Sequence, residues 1–192
     1  MPLPLPPLPP LPAPPGPPEQ LRRPPVVVIF LLGIVGGLAG TLAAVLKELT
    51  HGGLLPAVLA APAIEEICKP IGVVLILEKR SHWFRSKVQV VLMVALGALV
   101  FATLENLMYV HVYNPSGGPG YVVWRYTVCT TMHLAASTIF GLGLARMWQR
   151  MRQKGGGFDI DVCLWYYAAA VILHAAYNAI VIILELAKVL RF

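Results

Sequence analysis

Glu65 and Glu66, followed by Lys69, lie within Leu54 to Leu77, LLPAVLAAPAIEEICKPIGVVLIL, which is long and apolar enough to cross a bilayer. Three ionisable side chains at that depth cost roughly 2.5–3.5 kcal/mol each on insertion scales, so they must face protein or water and mark a working site. Glu65 and Lys69 share a helix face at i,i+4, and Glu66 reaches Lys69 at i,i+3. An ion pair that only glues helices explains one Glu and one Lys, not the second Glu. Further along, FATLENLMYVHVY carries Phe101 and Glu105 one turn apart with Asn106 beside them, TTMHLAASTIFG carries His133 and Ser137, and ILHAAYNAI carries His174 and Asn178. Each apolar run thus presents one polar stripe. Carboxylates and imidazoles at one depth have the composition of a metal site, since Zn²⁺ takes His nitrogen and Glu oxygen. A carboxylate left over can serve as general base toward water. Ser137 as a nucleophile with His133 or His174 is a competing chemistry, but it leaves Glu65, Glu66 and Glu105 without a reason to be buried.

The elements that position these groups are five apolar segments, about 26–46, 54–78, 88–112, 121–147 and 161–190, each of spanning length. A hydrophobic content of 57% with only 12% charged residues exceeds what a soluble domain of 192 residues can cover with polar surface. The expected fold is all-α, a polytopic transmembrane helix bundle of about five spans. Pro62 and Pro70 each remove a helical N–H, so the charged segment is expected to kink. Gly33, Gly36, Gly37 and Gly40 in the first segment form small-xxx-small pairs for close helix packing. Residues 1–25 hold 13 of the 18 prolines and read as a disordered or polyproline-like tail ahead of a 26–192 membrane domain.

The net charge of +6 does not point to nucleic acid, because Lys and Arg cluster in short connections between apolar runs. Ten of them, from Arg22 to Lys154, fall on the amino-terminal side of the bundle, against Lys47, Arg125, Lys188 and Arg191 on the other. This predicts an amino terminus in the cytoplasm, a carboxy terminus outside and an external, yielding YNPSGGPG loop at 113–120. His51, His82 and His111 sit at span ends as interfacial residues, Trp124, Trp165, Tyr166 and Tyr167 suit an aromatic belt, and Tyr126 and Tyr177 read as packing. Three cysteines, Cys68, Cys129 and Cys163, imply no disulfide framework.

Taken together, Glu65-Glu66-x-x-Lys69, Phe101-x-x-x-Glu105-Asn106, His133 and His174-x-x-x-Asn178 resemble the PrsW family of intramembrane proteases. That family lies in the superfamily that also holds the CaaX prenyl proteases and the γ-secretase scaffold subunit. The resemblance covers roughly 54–180; Glu105 stands where the prenyl-protease branch typically has His, which favours PrsW. It implies a metal-dependent endopeptidase, its cation Zn²⁺ by ligand type with Mn²⁺, Fe²⁺ and Co²⁺ accepting the same donors, that cuts membrane-anchored proteins in the plasma membrane, an anti-sigma factor being the best-known substrate. By the same resemblance Glu65 is the leading catalytic carboxylate and a metal ligand, and Glu66 a ligand or second acid. His133, His174 and Glu105 are metal ligands, Lys69 holds the glutamates, and Asn178 orients a substrate carbonyl or oxyanion. The competing functions are a non-catalytic membrane scaffold, a haem protein with His133 and His174 as axial ligands, and a channel or transporter.

Overall fold

The computed structural model describes residues 24–50 and 56–189, so most of the proline-rich tail, together with Arg22, Arg23, His51 and Arg191, lies outside the described residues. The described residues are helical and contain no strand. Helix α1 runs over Val26–Thr50, α2 over Ala61–Cys68, α3 over Ile71–Arg80, α4 over Lys87–Met108, α5 over Pro119–Trp124, α6 over Thr130–Lys154 and α7 over Asp161–Leu186. Wide π turns at Pro56–Ala60, Tyr109–Tyr113 and Arg125–Cys129 extend α2, α4 and α5. The last of these fuses α5 to α6, giving one rod from Pro119 to Lys154.

Four of the expected spans are unbroken helices of sufficient length and apolarity: Val26–Leu46, Lys87–Tyr113, Pro119–Lys154 and Asp161–Leu186. The expected segment at 54–78 is different, because it is split into α2 and α3 at Lys69–Pro70. Pro70 has no N–H to continue the ladder, and its backbone sits at φ −90, ψ 10, outside the helical well. The ladder resumes when Val74 N–H donates to the Pro70 carbonyl.

Glycine makes the break packable. The Lys69 carbonyl is wedged between Gly36 of α1 and Gly97 of α4, where a Cβ on either would strike it, and Gly72 rests on the Leu32 carbonyl in the same way. Small residues let backbones approach where no hydrophobic force drives helices together in lipid. The glycine stripe of α1 therefore seats the kink that carries Lys69.

The two ends of the bundle differ in character. At the end holding the start of α1 and α4 and the close of α3 and α6, Val73, Leu77, Phe84, Val90, Val94, Leu144 and Met147 form a dry core. Trp148 Nε1 ties that end together by donating to the Ser81 carbonyl at 2.9 Å. Toward the other end the interior is polar. The helices' outer faces carry Leu31, Leu38, Leu92, Ile172 and Ile183, all exposed, as a lipid-facing surface requires. In the 113–120 segment Asn114 N–H donates to the Tyr109 carbonyl and Gly117 N–H to that of Asn114, closing a hydrogen-bonded turn. All three cysteines are free thiols.

Candidate metal centre

The break in the second segment aims Lys69 inward. Its ammonium is wholly buried and donates to Glu66 Oε1 at 2.6 Å and to His133 Nδ1 at 3.0 Å. It stands 3.6 Å from Glu65 Oε2 and 4.3 Å above the centre of the Phe101 ring. A buried ammonium costs several kcal/mol unless carboxylates and a ring face surround it, and here both do.

Glu66 is fully buried and fully engaged. Besides Lys69 it accepts from Ser137 Oγ at 2.7 Å and from His174 Nδ1 at 2.9 Å. Those contacts turn the other nitrogen of His174, Nε2, toward Glu65 Oε2 at 3.7 Å. A carboxylate that holds one imidazole nitrogen so that the other faces outward is the usual support of a metal-ligating His. The serine hydroxyl is thus engaged on Glu66 and not on either histidine, against the nucleophilic alternative.

His133 comes from α6, its ring 4.8 Å from that of His174 at 89° and 5.1 Å from that of Phe101. Its Nε2–H donates to Glu105 Oε2 at 2.9 Å, and Arg125 Nη2 donates to the same oxygen at 2.8 Å. Arg125 in turn lies 3.9 Å over the Tyr109 ring. Arg125 is therefore part of the site and not an external charge, as its place near the end of an apolar run suggested. Sequence reasoning alone does not find it, because a Lys or Arg near a span end reads as a loop residue; its position inside the apolar run 121–147 is the usable signal.

The π turn explains how one helix supplies so many groups. Residues four apart drift by about 40° per step in a helix of 3.6 residues per turn, while a wider turn reverses the drift. Tyr121, Arg125, Cys129 and His133, each four from the next, consequently all line one cavity of about 210 Å³. Glu65, Glu105 and His174 line it too, as does Asn178 one turn beyond His174. Tyr177, expected to be packing, also borders it and meets Cys129 Sγ at 2.8 Å through its hydroxyl. Glu66 and Lys69 do not line the cavity, and Asn106 is turned away from it to donate to Thr130 Oγ1 at 3.0 Å.

Among the described residues, Glu65, His133 and His174 form a buried group whose donor atoms all lie within 4.8 Å of one another. Two nitrogens and a carboxylate oxygen suit a divalent cation, although donors at 2.0–2.1 Å from a tetrahedral ion are about 3.4 Å apart, so these three would draw in on binding. The charge balance fits as well. With neutral imidazoles, Glu65, Glu66 and Glu105 exceed Lys69 and Arg125 by one negative charge, and Glu185, which also lines the cavity, adds a second. His133 has both nitrogens engaged, so it would exchange its bond to Glu105 or to Lys69 for a metal.

The family model for PrsW family intramembrane metalloproteases matches residues 23–191, nearly the whole chain. The chain belongs to the PrsW family. No curated protein and no solved structure matches it. The family makes this helical chain a membrane protease of the metal-dependent kind, and the buried Glu/His/His group is where a PrsW-family member with this sequence could hold its metal.

Proposed function

We propose that the chain hydrolyses a peptide bond of a membrane-anchored protein in the polar cavity, using Glu65, His133 and His174 to hold a divalent cation, Zn²⁺ by donor type. The observation that carries this reading is the convergence of those three buried donors on a cavity of about 210 Å³, large enough to admit water. A bound cation would supply Lewis-acid polarisation of the scissile carbonyl and a more acidic water.

The chain's own residues do the rest. Glu65, through the carboxylate oxygen it does not give to the cation, takes a proton from the attacking water as the water oxygen bonds to the carbonyl carbon, and delivers that proton to the amide nitrogen as the C–N bond breaks. Asn178 offers its side-chain amide to the substrate carbonyl or the developing oxyanion. Glu66 does not touch substrate in this scheme. With Lys69 and Ser137 it holds His174 in orientation, and Arg125 does the same for Glu105 and, through it, His133. Glu105, bonded to His133 and lining the same cavity, would offer the cation a further carboxylate.

The cavity reaches Tyr113 and Glu185, both near the end expected to be external, so a substrate segment enters from that half of the membrane. Orientation rests on the charge count, which sharpens once Arg125 is removed from the sparse side. An amino terminus in the cytoplasm, residence in the plasma membrane and an anti-sigma-factor type of substrate complete the proposal.

The scaffold reading gives the cavity no purpose. The haem reading fails on size, because imidazole rings 4.8 Å apart and edge to face leave no room for a macrocycle between them. The test is cleavage of a single-span model substrate by purified protein: Glu65→Gln is expected to be inactive and Ser137→Ala to keep about a tenth of the parent's activity. Full activity in Glu65→Gln would overturn the proposal, and loss in Ser137→Ala with stability unchanged would revive a serine mechanism.

A further inference from the structure

At the opposite end of the bundle from the polar cavity, α4 and α6 enclose a groove of about 430 Å³ on the lipid-facing surface. Its deeper wall is apolar: Val91 and Leu92 of α4 and Leu142 of α6. Its outer part carries Lys87, Arg146, Gln149 and Tyr166, and none of the lining residues is acidic. The groove therefore changes from cationic to apolar along the membrane normal, each cation lying one helical turn outside an apolar lining residue. From this gradient we infer that the groove binds one anionic phospholipid, its phosphate between Lys87 and Arg146 and an acyl chain along Val91 and Leu142.

Two further features support a built site. Arg146 Nη1 donates to Tyr166 Oη at 3.2 Å, which fixes the guanidinium across the groove's mouth while leaving its other N–H groups available. Tyr166 is itself held against α6 at Gly143, where a Cβ would come within 2.6 Å of the tyrosine's own Cβ. The ring is thus seated at the groove by the absence of a side chain opposite. A zwitterionic lipid would place its own ammonium beside two cations, so the charge of the site selects an anionic head group. The groove also lies at the end where Lys79, Arg80, Arg152 and Lys154 close α3 and α6, the side on which anionic lipid would face a cytoplasmic interface.

The experiment is native mass spectrometry of the purified full chain, titrated with phosphatidylglycerol or phosphatidylcholine. One phosphatidylglycerol is expected to bind at least about ten-fold more tightly than phosphatidylcholine. The Lys87→Gln/Arg146→Gln double variant should weaken it about thirty-fold, as two cations at about 1 kcal/mol each imply. Arg152→Gln/Lys154→Gln, with the same charge loss outside the groove, should bind like the wild type. If the first double variant does not fold, Leu142→Trp, which fills the apolar part, should lose the bound lipid. Equal binding of the two lipids, equal loss in both double variants, or displacement by inorganic phosphate would overturn the inference.

Discussion

Removing the Ser137 hydroxyl takes one charge-assisted hydrogen bond from Glu66 and leaves those from Lys69 and His174 in place. Ser137→Ala is therefore expected to cost about 1.5–3 kcal/mol of stability and to lower cleavage only about ten-fold, read by thermal melting beside a turnover assay. Lys69→Met is a harsher change, because it strands Glu65 and Glu66 in a buried site with one cation fewer. A loss of about 3–5 kcal/mol follows from breaking a buried pair on one side, and the Lys69→Met protein should melt well below Ser137→Ala. Arg125→Met separates orientation from folding. Glu105 would keep His133 as a partner but lose its cationic neighbour, so turnover should fall more than the melting temperature does. Equal losses would make Arg125 a packing residue.

The helices were legible as apolar runs, and Pro70 marked where the second run breaks, because both effects act locally along the chain. The glycines of α1 were legible as a packing stripe, but their target, the Lys69–Pro70 turn, is a tertiary fact. The π turn at Arg125–Cys129 has no sequence signature, and with it went the alignment that brings Arg125 into the site. Of the candidate residues, Glu65, Glu105, His133, His174 and Asn178 line one cavity, while Glu66 and Lys69 do not. The side on which Glu66 would lie could not be read from spacing, since Glu65 and Glu66 are both within reach of Lys69. A Cβ at Gly72 would collide with the Leu32 carbonyl, backbone that cannot rotate away, whereas one at Gly156 meets nothing within 4 Å. Gly72→Ala should accordingly destabilise by about 1–3 kcal/mol or more and depress cleavage through the displaced kink, with Gly156→Ala within about 0.5 kcal/mol of the parent. Similar melting curves for the two would mean that α1 does not seat the break.

At the scale of the whole molecule, a dry core at one end and a polar cavity at the other divide the tasks of holding the bundle together and working on a substrate. In the orientation proposed from the charge count, the cavity end faces outside and the apolar end the cytoplasm. Single cysteines at Ser116 and Gly156, in a background lacking Cys68, Cys129 and Cys163, should be labelled from the external and cytoplasmic sides respectively; the reverse pattern would invert the topology. The proposed hydrolysis requires Glu65, His133 and His174 to act as one metal centre. Elemental analysis of purified protein before and after a chelator tests this most directly, with His133→Ala, His174→Ala and Gln149→Ala measured alongside. About one equivalent of a divalent transition metal is expected in the parent and in Gln149→Ala, removed by the chelator together with activity, and less than about a tenth of that in either histidine variant. Undiminished metal in both folded histidine variants, or full cleavage by chelator-treated protein free of metal, would contradict it.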